Sequence, residues 1–79
     1  MIIPKKGDWV IKANNFGGSE PGKIIYTDSA NGEAIGIFFD EDGDGMVSVD
    51  LLFEEIKEIL SDPKQILELD EEMSKLQGE

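Results

Sequence analysis

The chain has 79 residues, with seven lysines against eighteen acids, a formal net charge of −11, and no cysteine or histidine. That length accommodates one domain with a small core; the missing cysteine excludes disulfides and thiolate zinc sites, and the missing histidine excludes imidazole metal ligands and the usual nucleophile–base pairs. Residues 1–39 balance four lysines with four acids whereas residues 40–79 hold fourteen acids and three lysines, so the acidic half disfavours direct nucleic-acid or membrane binding and favours another protein with a basic surface.

Met1 to Lys6 forms a lead-in without the apolar core of a signal peptide. No run approaches the ~20 apolar residues of a membrane helix, so a cytoplasmic address is expected. Lys5-Lys6-Gly7-Asp8 places a turn before a first strand, Trp9 to Ala13. In that strand Trp9 and Ile11 share one side and Val10 and Lys12 the other, which predicts one mostly buried face. Residues 14–22 are too rich in asparagine, glycine and proline for regular structure and read as a long loop. Lys23 to Thr27 is a second strand, closed by a turn at Asp28 to Gly32 whose Asn-Gly step is a hairpin signal.

A central hairpin follows. Ile35, Ile37 and Phe39 fall on one side of an extended run, and Val47 and Val49 on one side of the next, so these two apolar faces are expected to meet. The connector Asp40 to Gly45 holds two Asp-Gly steps suited to left-handed turn positions. Over 51–60 the pattern supports two readings. Leu52, Ile56, Ile59 and Leu60 recur at helical spacing with Asp50 as a cap, while the same residues also fit a helical turn and a brief strand. Asp62, Pro63 and Gln65 supply a cap, a first-turn proline and a capping-box partner, predicting a helix over 63–77. Its narrow seam of Ile66, Leu69, Met73 and Leu76 is expected to pack on the sheet; its other use is a partner contact or a homodimer. Glu68, Asp70, Glu71 and Glu72 form its acidic outer face.

Gly7-Asp8-Trp9-Val10, Gly22-Lys23-Ile24, Phe38-Phe39-Asp40 and Val47-Ser48-Val49 leading into Phe53-Glu54-Glu55-Ile56 resemble an SH3-like barrel of the KOW or Tudor type. The resemblance implies a mainly β fold: an antiparallel barrel of four to five strands over 1–60, followed by an acidic amphipathic helix at 61–79. Its long loop would join the first two strands, with a helical turn at 51–54 and a last strand at 55–60. The connector also resembles an EF-hand calcium loop, with Asp40, Asp42, Asp44 and Gly45 at positions one, three, five and six. Position twelve is Leu51 where that family has its bidentate glutamate, and the entering helix would fall on a segment containing Gly36 and β-formers.

Catalysis is not expected. No serine stands in a nucleophile elbow, no phosphate-binding glycine loop is present, and no cofactor is implied. The leading expectation is an adaptor, accessory subunit or inhibitor that docks on a basic protein surface. Trp9, Phe16 and Tyr26 would line a groove beside the first loop, with Trp9 and Tyr26 equally suited to the core. Asp40, Glu41, Asp42, Asp44, Glu68, Asp70, Glu71 and Glu72 would supply the charged contacts. The alternatives are a phage-type inhibitor that mimics DNA or RNA, and a calcium module through Asp40, Asp42 and Asp44.

Overall fold

The computed structural model describes residues 2–13, 18–40, 43 and 45–76. Five strands, β1 (Trp9–Ala13), β2 (Ser19–Asp28), β3 (Glu33–Phe39), β4 (Met46–Leu52) and β5 (Ile56–Ile59), precede one C-terminal helix, α1 (Pro63–Leu76). All pairings are antiparallel, in the order β4-β3-β2-β1-β5. The molecule is therefore mainly β with a terminal helix, as expected. Strands β4 and β5 are the two edges, and pairing that would close the sheet into a barrel is not seen among the described residues.

Alternation along each strand divides the apolar residues between two faces. On the inner face Val10, Ile24, Ala34, Phe38 and Leu51 pack with Phe53 and Ile56. On the outer face Trp9, Ile11, Ile37, Phe39 and Met46 meet Ile66, Leu69 and Met73 of α1, together with Leu60. Two expectations change as a result. Strand β1 is buried on both faces, since Trp9 and Val10 are both inaccessible. In the central hairpin, Phe38 stands opposite Val47, Gly36 opposite Val49 and Ala34 opposite Leu51. Val47 and Val49 thus lie on the Phe38 side, and the partners of Ile35, Ile37 and Phe39 are Asp50, Ser48 and Met46. The hairpin forms where predicted, with its faces exchanged.

Strand β2 begins earlier than the composition of 14–22 suggested. Ser19, Glu20, Pro21 and Gly22 pair with Ala13, Lys12, Ile11 and Val10. The Ile24 amide donates to the Asp8 carbonyl at 2.8 Å, so ladder alternation turns the Pro21 nitrogen away from β1. Pairing with β3 stops at Gly22–Phe38, so no ladder bond is lost at Pro21.

Residues 51–60 resolve as the end of one strand, a 3-10 turn and a second strand. Strand β4 continues to Leu52, so Asp50 caps nothing; a 3-10 turn at Phe53–Glu55 reverses the chain, and β5 pairs with β1. Helix α1 starts as predicted: an Asp62 carboxylate oxygen accepts from the Lys64 amide at 3.1 Å, and the Asp62 carbonyl accepts from Ile66 at 3.0 Å. Its seam packs on the sheet. Among the described residues no helix is long and apolar enough to cross a membrane.

Candidate functional site

The outer face is only partly roofed. Helix α1 covers the region of Trp9, Ile37, Phe39 and Met46. At the far end a β-bulge interrupts β2: Ile24 pairs with Gly36 and Tyr26 with Ile35, leaving Ile25 as the extra residue. Ile25 and Tyr26 are consequently both exposed, Tyr26 at 55%. Tyr26, Ile35 and Leu52 form the apolar floor of a cleft of about 280 Å³. Glu33, Asp50 and Glu55 also line it, as do parts of Ala34 and Leu51. Strand register brings these acids together, because Glu33 is opposite Leu52 and Asp50 opposite Ile35. Among the described residues no lysine lines the cleft. Glu55 is held in place, its carboxylate accepting from the Leu52 amide at 2.7 Å.

The roofed half is fastened by one carboxylate. Asp70 on α1 accepts at the same oxygen from the Trp9 indole N–H and from the Lys23 ammonium, each at 2.9 Å. Trp9 stacks on Phe39 with ring centroids 6.2 Å apart. The Lys23 hydrogen bond, followed by that of Trp9, holds the Asp70 carboxyl below its ordinary value, against a smaller opposing effect of burial. A smaller cleft of about 210 Å³ lies beside this contact, between Lys23, Ile25 and Ile37 of the sheet and Asp70, Met73 and Ser74 of the helix.

These positions redistribute the residues singled out from sequence. Trp9, suited there to a groove or to the core, is core: 1% exposed and roofed by α1, it offers no contact surface. Tyr26 reaches the surface. Asp70, part-exposed, ties the helix to the sheet, whereas the side chains of Glu68, Glu71 and Glu72 stand in solvent. Asp40 sits half-buried at the mouth of the hairpin turn, its amide donating to the Gly45 carbonyl at 3.0 Å. The turn places Gly43 at φ +73°, a backbone conformation suited to glycine. Phe16, Glu41, Asp42 and Asp44 lie outside the described residues. Strand β3 occupies the segment where an EF-hand would need its entering helix.

Glu33, Ile35, Asp50, Leu52 and Glu55 were not singled out from sequence as contacts. The available signal was the hairpin register, which sets Asp50 beside an outward Ile35. No protein-family model matches the chain, and neither curated proteins nor solved structures provide a match.

Proposed function

We propose that this protein is a non-enzymatic binding module, built on an SH3-like frame, that docks on a basic surface of another protein through the Tyr26 cleft. The observation that carries the reading is the pairing of an open apolar floor with three carboxylates and no lysine. A lysine or arginine stem packs on Tyr26, Ile35 and Leu52 while its cationic head reaches Glu33, Asp50 and Glu55. The charge of −11 adds long-range attraction, which hastens encounter and weakens with salt. Support for the SH3-like frame comes from β1 lying between β2 and β5 and from the 3-10 turn directly before β5.

Amide NMR with a synthetic peptide of alternating lysine and valine tests the proposal. Binding is expected to shift Tyr26, Glu33, Ile35, Asp50, Leu52 and Glu55. Shifts confined to Glu68, Glu71 and Glu72 on α1, or none beyond those produced by a glutamate–valine peptide, would refute it.

A further inference from the structure

Two edges bound the sheet, and they are unlike. Strand β5 is four residues long, carries Lys57 and Glu58, and pairs with β1 through a register shift. Short length, charge and irregularity are the usual protections of an edge. Strand β4 has only one of them, the charge of Asp50. It runs seven residues, Met-Val-Ser-Val-Asp-Leu-Leu, with no lysine, no proline and an unbroken register against β3. Val47, Ser48, Asp50 and Leu52 are exposed along it.

The backbone of β4 can be assigned group by group. Hydrogen bonds from the Asp40 amide to the Gly45 carbonyl at 3.0 Å, and from the Phe53 amide to the Gly32 carbonyl at 2.8 Å, bracket the ladder in the same register. Antiparallel alternation then directs the backbone of Val47, Val49 and Leu51 to β3, and that of Met46, Ser48, Asp50 and Leu52 away from it. The Leu52 amide confirms the assignment, because it donates to the Glu55 carboxylate instead. One end of the edge is thereby closed. At Met46, Ser48 and Asp50 the outward amides and carbonyls have no hydrogen-bond partner among the described residues.

We infer that this open stretch of β4 takes an added strand from the basic partner, so that binding occurs by sheet extension with side chains delivered into the cleft. The inference rests on the cleft reading above and specifies its mode. An added strand alternates its side chains, and those on the outer face fall beside Asp50, with Glu33 and Glu55 beyond. Charge selects the occupant: cationic side chains at alternate positions meet carboxylates, whereas a second copy of this acidic chain would bring acid against acid.

The test uses the intact protein and three peptides: alternating lysine–valine, the same peptide with every second backbone amide N-methylated, and glutamate–valine. N-methylation keeps the charge and removes the donors. The first peptide is expected to bind and to slow hydrogen exchange at the Met46, Ser48 and Asp50 amides, with the methylated form about tenfold weaker. Ser48→Pro, which removes an outward donor, is expected to weaken the first peptide by a similar factor while an unchanged melting temperature shows the fold intact. Equal binding of the methylated peptide, with Tyr26 and Glu33 shifting but β4 exchange unchanged, would overturn strand addition and leave the cleft reading standing. Binding of lysine–valine no tighter than glutamate–valine would overturn both. Concentration-dependent protection of β4 in the absence of peptide would overturn the choice of partner in favour of a second copy.

Discussion

The outer face of the sheet has two halves built from similar residues and put to different use. Around Trp9, apolar side chains from β1, β3 and β4 are roofed by α1, and Asp70 ties the roof down through Trp9 and Lys23. Around Tyr26, an aromatic and two aliphatic residues remain open and are joined by Glu33, Asp50 and Glu55. Apolar content does not separate them. What separates them, among the described residues, is the charge around each floor: a carboxylate paired with a lysine in the first, three carboxylates with no lysine in the second. The first half is finished as core, and the second is the half that we propose receives a cation.

Substitutions in the two halves should therefore separate stability from binding. The largest expected loss is Trp9→Ala, which leaves a cavity under α1 and frees Asp70 of a donor; a drop of about 3–5 kcal/mol is expected in denaturant unfolding. Next is the helix seam. Met73→Ala should cost about 2–5 kcal/mol because Met73 is buried against the sheet, while Leu67→Ala, at a 60% exposed position on the same helix, should change stability by less than about 0.5 kcal/mol. Equal losses at the two positions would mean that α1 is not docked through this seam.

Asp70→Asn should cost about 1 kcal/mol at neutral pH, since the pair with Lys23 is part-exposed and screened by solvent. Its pH signature is specific. The folded carboxyl lies below its ordinary value of 3.8, so the unfolded chain binds more protons between the two values. The stabilisation is complete above pH 3.8 and is lost as pH falls through the folded value. The stability difference between wild type and Asp70→Asn should accordingly shrink on acidification below 3.8, and a difference independent of pH would remove the ion pair from the account. As small an effect on the fold as that of Leu67→Ala is expected for Tyr26→Ala, about 0.5 kcal/mol or less, which should nevertheless weaken lysine–valine peptide binding measurably. A large loss of stability there would place Tyr26 with Trp9, as part of the core.

Much of the fold was legible because its signals are local. The first strand needs only Trp9 to Ala13, the turn at Gly32 only its Asn-Gly step, and α1 only Asp62, Pro63 and one apolar seam. The face of the central hairpin was not legible, because β3 is apolar on both sides: Ile35, Ile37 and Phe39 alternate with Ala34, Gly36 and the fully buried Phe38. Parity alone cannot rank those two sets. Pairing with β1 decides β5, whose four residues carry no period long enough to distinguish strand from helix. The candidate site was hidden for a related reason. Its residues come from β2, β3, β4 and the 3-10 turn, and the bulge at Ile25 that turns Tyr26 outward leaves no mark in the sequence pattern.

The most direct test of the central claim compares two charge reversals of equal size, Asp50→Lys in the cleft and Glu71→Lys on the exposed side of α1. Both change the net charge by the same amount, so any shared effect on lysine–valine peptide affinity reports the overall field. The account predicts about a tenfold loss for Asp50→Lys and less than about a twofold loss for Glu71→Lys. Equal losses would contradict it, because attraction would then belong to the acidic chain as a whole and not to the cleft beside Tyr26.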